Sequence, residues 1–469
     1  MKFSRAVLGV GLMLVLASSA SAADKAPITY DEHIRPIFRQ HCFKCHGEDE
    51  QKADLNLSLF AAVVKGGSTG QVLVPGRPSG SLLFEAITQD DPAARMPPNS
   101  PPLAAEKIEL VRLWIEQGLR ESAGSRSMAA ARDLSFRPAA DVASRPVGPP
   151  PMPGQIAAVE IPATRRPLPI VALATSPWAP LAAVAAHQHV RLFNTDTRQP
   201  IGALAFPEGE PFVLRFSRDG RLLLAAGGKP VQAGKAVLLD VQTGKRRAEI
   251  GDEIDAVLAA DLSPDQQLVA LGGSGRVVKV YSTLDGSLKY KLTRHTDWIT
   301  AIAFSPDGKR LATADRAGGI HLWDAASGGI LLSLAEHTSA VRALAWRGDN
   351  RLLASGGEDG KLILWDANDG WPTSTMPSPH APQRAPGTYG KLPSGVLSIE
   401  FAADGRFASS GRDRKVRLWD ASGRALLAFD CAALPTKVAF AHDGRTLIAG
   451  DASGEVHFWP IAPGPAAKK

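Results

Sequence analysis

Two cysteines and a histidine lie together in the stretch QHCFKCHGEDE, residues 40–50. Cys42, Cys45 and His46 form the pattern C-x-x-C-H, which holds two of the three cysteines in the 469-residue chain. Two thiols one helical turn apart can each add to a vinyl group on one edge of a porphyrin, and the next imidazole can bind the iron. The spacing therefore predicts one covalently attached haem c, with His46 as an axial ligand of the iron.

Other chemistries of a cysteine pair remain as alternatives. A structural zinc site usually needs two such pairs to supply four ligands, and the chain has no second pair. A thioredoxin-like redox pair needs a strand followed by a helix, whereas the surrounding pattern is helical. A coincidental pattern without a cofactor is the third alternative.

A haem that transfers electrons usually has a second axial ligand, and a thioether in that position favours ferrous iron. Met96, in the Pro-rich stretch AARMPPNSPPL, is the candidate, because no other of the chain's 6 methionines lies in this part of the mature chain. His33 and His41 are the alternative ligands. They precede the C-x-x-C-H pattern, and we interpret them as surface or packing residues.

The start of the chain predicts export. Residues 1–22 combine a basic head, the apolar run AVLGVGLMLVLA and a small-residue tail with an A-x-A pattern, which is typical of a cleavable signal peptide. The apolar run falls short of the roughly 20 residues that span a bilayer, and no later stretch is long enough. We therefore expect a periplasmic or otherwise exported protein without a membrane span, and three cysteines are too few for a disulfide framework.

Residues 24–122 predict a small helical domain that positions the cysteines. Thr29 followed by Glu32 resembles a capping box at a helix start. A later helix places Ile108, Val111 and Ile115 on one face, and Gly118 ends it. Residues 123–154 are rich in Pro, Gly and Ala and predict a linker.

Residues 155–462 predict an all-β domain, followed by a tail at 463–469. Short apolar runs repeat, and their key positions are separated by 46, 42, 42, 42, 54 and 40 residues. Seven units of four strands follow from this spacing. The key positions are Phe193, Leu239, Tyr281, Trp323, Trp365, Trp419 and Trp459.

The repeats resemble the WD-repeat family, whose members are β-propellers, so the resemblance implies seven blades. His337, Ser355, Asp359 and Trp365 match the family's structural hydrogen-bond set, and His295 and His337 both fit its histidine position. Ala317 and Ser453 stand at the aspartate position of two other units, which predicts less rigid blades there. The family closes its ring with an N-terminal strand, for which residues 155–162 are available.

The first domain resembles the cytochrome c domain family named for planctomycetes, over about residues 26–119. The matching stretches include YDEHIRPIFRQHCFKCHG and RMPPNSPPLAAEKIELVRLWIEQG. The resemblance implies a c-type haem attached to Cys42 and Cys45, with His46 as the proximal ligand and Met96 as the distal ligand. The fold class expected is thus multidomain: a small all-α cytochrome c domain followed by an all-β seven-bladed WD-repeat propeller.

These features predict an exported cytochrome that transfers single electrons without a catalytic residue of its own. The propeller would serve as a protein-docking platform or scaffold, and a redox protein is the expected partner. The formal charge of +6 is spread among acidic groups and, with the export signal, argues against nucleic acid as a partner. An insertion at residues 371–393 is interpreted as a tolerated loop, with recognition as the alternative.

Two enzymatic alternatives stay open. A catalytic propeller fed with electrons by the haem would need ligands at its centre, and the local H-x-H pair His187 and His189 is interpreted instead as a surface turn. Peroxidase or ligand-sensing chemistry would need an open position on the iron, which Met96 decides. Cys431 is interpreted as a buried free thiol.

Overall fold

The structure is a computed structural model that describes residues 27–68, 70–92, 94–98, 100–122, 124–125, 148–154, 156, 168–381 and 394–462. The chain divides into two compact units, residues 1–133 and 134–469, and each is described by itself. The predicted signal peptide, the tail at 463–469 and most of the predicted linker lie outside the described residues. None of the described helices combines the length and the apolar character that crossing a membrane requires.

The described residues of the first unit form five α-helices joined by loops. They also include one π-helical turn, Tyr30–Ile34, and two 3-10 turns, Lys52–Asp54 and Pro78–Gly80. The helices are α1 (Arg35–His41), α2 (Phe43–His46), α3 (Phe60–Lys65), α4 (Leu82–Thr88) and α5 (Ala105–Glu116).

Aromatic side chains form the centre of this unit. Tyr30, Phe38 and Trp114 are buried, with ring centroids 6.0 to 6.4 Å apart. The Tyr30 hydroxyl donates to the carbonyl oxygen of Leu57 at 2.7 Å, so the loop after α2 is fixed to the core. The two ends of the unit meet, because the Tyr30 N–H and the Trp114 indole N–H both donate to the Arg120 carbonyl oxygen, at 2.8 and 2.9 Å.

Helix α5 confirms the predicted apolar face, while the predicted capping box is wrong. Val111 and Ile115 are buried on α5, and Gly118 at φ +91° ends its last turn in the left-handed region that favours glycine. At Thr29 no side-chain cap bond forms. The Thr29 hydroxyl and N–H instead lie 3.2 Å from Nδ1 of His33, so the imidazole takes the place that Glu32 was expected to fill.

The second unit is a ring of seven antiparallel sheets, blades 1 to 7, each read from the centre of the ring outward. Six blades have four strands, and blade 7 has three among the described residues. In blades 1 to 3 the strands are β1 (Leu173–Thr175), β2 (Leu181–Ala186), β3 (His189–Asn194), β4 (Pro200–Ala205), β5 (Glu210–Phe216), β6 (Leu222–Lys229), β7 (Ala233–Asp240), β8 (Arg246–Glu253), β9 (Ala259–Leu262), β10 (Leu268–Gly272), β11 (Val278–Ser282) and β12 (Leu288–Leu292). In blades 4 to 7 they are β13 (Ile299–Phe304), β14 (Arg310–Asp315), β15 (Ile320–Asp324), β16 (Ile330–Leu334), β17 (Val341–Trp346), β18 (Leu352–Gly357), β19 (Leu362–Asp366), β20 (Pro372–Met376), β21 (Val396–Phe401), β22 (Phe407–Gly411), β23 (Lys415–Trp419), β24 (Ala425–Asp430), β25 (Pro435–Phe440), β26 (Thr446–Asp451) and β27 (Val456–Pro460).

The seven-bladed fold predicted from the spacing is confirmed. The seven key positions all fall on the third strand of their blades, at β3, β7, β11, β15, β19, β23 and β27. Strands of period 2 place small apolar residues on both faces, and alanines such as Ala183, Ala225 and Ala312 are fully buried between neighbouring blades. Small side chains allow the sheets to pack closely around the ring.

The ring closes between blades 7 and 1. Innermost strand β25 lies beside β1, and the Ile170 N–H donates to the Asp451 carbonyl oxygen at 3.0 Å. The Thr175 hydroxyl donates to the Phe440 carbonyl oxygen at 2.7 Å. Of the strand expected at residues 155–162 only Ile156 is described, and it packs against the core of blade 1, so that prediction lies outside the described residues.

Residues 148–154, at the end of the predicted linker, are described with the propeller unit. The Gly154 N–H donates to the Gln242 carbonyl oxygen at 2.9 Å, and Met152 packs against the core of blade 1. The domain boundaries given above stay predictions.

Candidate functional site

The C-x-x-C-H residues lie on one helical turn. Helix α1 ends at Cys42, whose N–H donates to Phe38 O at 2.7 Å, and the backbone then restarts as α2. The N–H groups of Cys45 and His46 donate to Cys42 O at 3.1 and 2.9 Å. Both thiols and the imidazole therefore project from a single short, hydrogen-bonded segment, as covalent attachment to one porphyrin edge requires.

Gly47 makes the sharp exit from this turn possible. A Cβ atom at this position would lie 2.4 Å from the carbonyl oxygen of Phe43, closer than real contacts allow. The chain then folds back, because the Gly47 N–H donates to Glu50 O at 2.8 Å and the Leu57 N–H donates to His46 O at 2.8 Å. The backbone on both sides of His46 is thereby fixed.

The imidazole of His46 has one buried nitrogen that forms no hydrogen bond with the described residues. Its Nδ1 is buried and has no hydrogen-bond partner among the described residues. Leaving a buried polar atom unpaired costs about 1–3 kcal/mol, so native structures seldom do so without a further group. The histidine is therefore not committed to the protein's own hydrogen-bond network, and this fits a residue that binds a cofactor.

The two cysteines also fit covalent attachment. Both are free and half-buried, and Cys42 packs against the domain core. Burial raises the pKa of the Cys42 thiol to about 11, so it is protonated at neutral pH. A redox-active pair depends on a thiol of lowered pKa, so this environment does not match the thioredoxin-like alternative.

Met96 lies on the loop after α4. Its N–H donates to the carbonyl oxygen of Ala86 at 2.8 Å, and its side chain is 42% exposed, so the protein core does not absorb the thioether. Leu83 and Ile87 of α4 belong to the same apolar cluster that Cys42 joins. The structure thus places Cys42, Cys45 and His46 together on one turn, and places Met96 on a separate loop anchored to a helix of the same core.

His33 and His41, the alternative axial ligands, are both engaged elsewhere. His41 Nε2 lies 2.8 Å from the Lys107 ammonium, and burial together with this charge lowers its pKa. His33 Nδ1 lies against Thr29. Met96 is therefore the candidate whose donor atom is not used by the protein itself.

The propeller contains the hydrogen-bond set predicted for blade 5. The His337 Nδ1 lies 3.0 Å from Asp359 Oδ2, and its Nε2 lies 2.7 Å from the Ser355 hydroxyl. The Trp365 indole donates to the same hydroxyl at 2.7 Å. The set links the loop before the blade to strands β18 and β19, so it is structural.

The weaker blade expected from Ala317 is a wrong prediction. Asp315, two residues earlier, takes the aspartate role, and its Oδ2 lies 2.9 Å from His295 Nδ1. The imidazole then reaches Thr313, which accepts the Trp323 indole N–H at 2.7 Å. Blade 4 therefore has a complete set.

Blade 7 repeats the displacement of the aspartate. Asp451, two residues before Ser453, is buried and accepts the N–H groups of Ser453 and Glu455 at 2.9 and 3.0 Å. Its other oxygen lies 2.8 Å from His457 Nε2. The turn is thus held by the displaced carboxylate, as in blade 4.

A third complete set, in blade 6, was missed in the sequence. His380 lies 2.7 Å from Asp413 and 2.8 Å from Ser409, whose hydroxyl also accepts the Trp419 indole N–H. His380 lies in the segment interpreted as a tolerated insertion. More residues separate it from Ser409 along the chain than separate His337 from Ser355 in blade 5. The rest of the insertion, residues 382–393, lies outside the described residues.

His187 lies in the tight turn between β2 and β3, as predicted, whereas the surface turn predicted for His189 is wrong, because His189 is the first residue of β3 and is buried. His187 Nδ1 is hydrogen-bonded to the Glu210 carboxylate, and Nδ1 of His189 lies 2.6 Å from the His187 carbonyl oxygen. The two rings are thus oriented by separate contacts. Cys431 is buried and free, also as predicted.

The cavity at the centre of the propeller is lined by residues of the seven innermost strands. Among the described residues that line it there is no histidine or cysteine, and its charged groups are Arg215, Arg342, Glu400 and Lys437. This composition does not favour the alternative in which soft metal ligands at the centre make the propeller catalytic.

Comparisons with known proteins agree with this two-part architecture. Residues 42–100 match the family model described as Planctomycete cytochrome C. Residues 286–324, 328–366 and 387–420 match the model described as WD domain, G-beta repeat. The three segments contain the inner three strands of blades 4, 5 and 6, and the first two begin with the outermost strand of the preceding blade. The chain therefore combines a planctomycete-type cytochrome c domain with a WD-repeat β-propeller.

Among solved structures, that of U3-55K matches with a TM-score of 0.54 and 18% identity, covering 61% of this chain and 89% of that one. At this identity the match shows the fold alone. No curated protein matches the chain. The family matches support haem binding by the first domain and protein interactions by the propeller.

Proposed function

We propose that the protein is an exported c-type cytochrome that carries one haem c and transfers single electrons, with the propeller as a docking platform for its redox partner. The observation that carries the proposal is the turn of Cys42, Cys45 and His46, in which a buried imidazole nitrogen has no hydrogen-bond partner among the described residues. The family match over residues 42–100 supports the same assignment.

The residues of the first domain have distinct roles in this proposal. Cys42 and Cys45 would hold the haem covalently, and His46 and Met96 would be its axial ligands. When bound, haem c supplies a one-electron iron couple. The apolar cluster around Cys42 and Phe43 would exclude water from one side of the group, which tunes such couples.

The propeller supports the docking role through its rigidity. Complete hydrogen-bond sets stiffen three consecutive blades, and the loops between strands form broad surfaces of the kind propellers use for binding. Exposed apolar side chains, among them Val231, Ile254 and Trp298, lie in such loops. A protein partner is the class of ligand that such a surface suits.

The test is the absorption spectrum of the full chain matured with covalent haem, oxidised and reduced. We expect a weak ferric sulfur-to-iron band in the red that is lost in Met96→Ala. Met376→Ala is the matched control, because Met376 packs inside the propeller, and this variant should keep the band. A high-spin spectrum in the parent protein would reject Met96 as ligand and favour chemistry at the iron, and a chain without haem would refute both.

Export is tested separately. The N-terminal residue of the mature protein, purified from the producing bacterium, should be Ala23 if the signal peptide is removed after Ala22. An intact N-terminus on haem-loaded protein would contradict the proposed cleavage.

A further inference from the structure

At the centre of the propeller, the cationic side chains outnumber the carboxylates that could neutralise them. The cavity has a volume of about 80 Å³, and most of the residues around it are aliphatic, while most of the surface that faces the cavity is polar. Four charged residues lie among them: Arg215 on β5, Arg342 on β17, Glu400 on β21 and Lys437 on β25. They come from four different blades, so their charges meet only because the ring closes.

One of the cations is neutralised within the protein. Arg215 Nη1 lies 3.5 Å from Glu400 Oε2, and its Nε lies 3.8 Å from Asp261 Oδ1. The guanidinium thus connects blade 2 to blade 6 on one side and blade 3 on the other. Two carboxylates serve this one arginine.

A third carboxylate, that of Glu358, is shared by two cations. Glu358 Oε1 accepts from Arg342 at 2.8 Å and from Arg412 at 3.0 Å. Arg342 is therefore only partly compensated. Of the two arginines that contact Glu358, Arg342 lines the cavity.

Lys437 has no ion pair among the described residues. Burial, together with the positive charges of Arg215 and Arg342, lowers the pKa of Lys437 to about 8, against a weaker opposite effect of Glu400. The four cations (Arg215, Arg342, Arg412, Lys437) thus face three carboxylates (Asp261, Glu358, Glu400). A confined ammonium without a partner costs free energy that a bound anion would recover.

A neutral donor lines the same cavity as Lys437. The Ser398 hydroxyl oxygen accepts the N–H of Val438, the residue after Lys437, at 3.3 Å, and Ser398 also lines the cavity. Its own proton is not used in any hydrogen bond described here. The cavity is also large enough, because about 80 Å³ is several times the roughly 10–15 Å³ that one water requires.

From these contacts we infer that the propeller centre binds one small anion, a phosphate or a short carboxylate, held by Lys437, Arg342 and the Ser398 hydroxyl. The site combines a point charge, a planar guanidinium and a hydroxyl donor, which together satisfy several oxygens of one anion. The inference is independent of the haem chemistry proposed above, since none of these residues belongs to the first domain.

The test is isothermal titration calorimetry of the full-length, haem-loaded protein at low ionic strength and pH 7, with inorganic phosphate and with acetate as probes. We expect binding at a stoichiometry of one for at least one probe, and the two titrations distinguish a phosphate site from a carboxylate site. Lys437→Gln should weaken binding at least tenfold. Lys289→Gln, which removes an exposed lysine from β12, is the matched control and should bind as the parent does.

Two further measurements keep the outcome clear. Lys437→Gln removes an unpaired charge, so it should unfold at the same temperature as the parent or higher, which separates lost binding from lost fold. Ser398→Ala should weaken binding several-fold and decides the matter if Lys437→Gln does not fold. The inference is overturned if the parent binds neither probe, or if the folded variants bind as tightly as the parent.

Discussion

Asp315 gives the sharpest test of how the propeller is stabilised. Its Oδ2 accepts from His295 at 2.9 Å, and its Oδ1 accepts from the N–H groups of Ala317 and Gly319 at 3.0 and 2.8 Å. The carboxylate is 2% exposed, so water cannot replace it. Asp315→Ala would therefore leave the buried imidazole of His295 and the less buried N–H groups of Ala317 and Gly319 without this acceptor.

The expected cost follows from these contacts. A hydrogen bond contributes about 1 kcal/mol net, and a buried donor left unpaired costs about 1–3 kcal/mol. One buried donor left unpaired and two less buried hydrogen bonds lost therefore predict a loss of roughly 3–5 kcal/mol in the free energy of unfolding, comparable to breaking a buried charged pair. If blade 4 were held by its other contacts alone, the change would stay within about 0.5 kcal/mol, as at ordinary surface positions.

The assay is chemical denaturation of the full haem-loaded protein, followed by the β-sheet signal in far-ultraviolet circular dichroism. Asp359→Ala in blade 5 is the internal reference, because Asp359 holds His337 and the N–H groups of Lys361 and Thr338 in the same way. The two variants should lose similar stability. Asp297→Ala, a partly exposed aspartate of the same blade region, should change little. An Asp315→Ala variant that unfolds at the parent's denaturant concentration would refute the reasoning.

Three further predictions concern the haem attachment, the helical core and pH. The double change Cys42→Ala and Cys45→Ala should release the haem when the chain is denatured on a gel stained for haem, whereas Cys431→Ala should retain it; haem retained by the double variant would contradict covalent attachment. Tyr30→Phe removes the hydroxyl that donates to Leu57 O at 2.7 Å, so the first domain should lose about 1–2 kcal/mol, measured by denaturation followed at the haem band. Burial lowers the pKa values of His295 and His380. Burial and, to a lesser extent, the nearby His295 lower the pKa of His321 to about 4. The unfolded chain, with histidine pKa values near 6.5, then binds more protons than the folded chain as the pH falls below about 7, so the thermal stability of the propeller should fall from pH 7 towards pH 4. Equal unfolding temperatures at pH 7 and pH 5 would contradict this sign.

The sequence was most informative where spacing alone carries the meaning. The C-x-x-C-H pattern needs only one helical turn, and the seven strand-ending positions need only a constant period, so both survive changes at neighbouring residues. His380 was missed because the number of residues between it and Ser409 differs from the number between His337 and Ser355. Asp315 was missed because it stands two residues before Ala317, the position at which the repeat pattern expects the aspartate. Its carboxylate still reaches the imidazole of His295, but a sequence pattern compares positions along the chain and not distances between atoms.

Other features could not be read from local sequence. The capping box failed at Thr29 because His33 competes for the same atoms. The lowered pKa of Lys437 could not be predicted from the sequence either. Arg215 and Arg342 lie far from it along the chain and come near it only because the ring closes. Such contacts depend on how the blades are arranged, which no short window of sequence records.

The three complete hydrogen-bond sets occupy consecutive blades, 4, 5 and 6, and this divides the ring into two arcs. Blades 1, 2 and 3 have Phe193, Leu239 and Tyr281 where the other four have tryptophan, and the side chains of Phe193 and Leu239 have no hydrogen-bond donor. Transient opening should therefore begin in the arc that contains the junction of blades 7 and 1, while the opposite arc stays closed. Amide hydrogen exchange would then vary around the ring, and a partner that binds across that junction would slow exchange most in the blades that are the least protected when free.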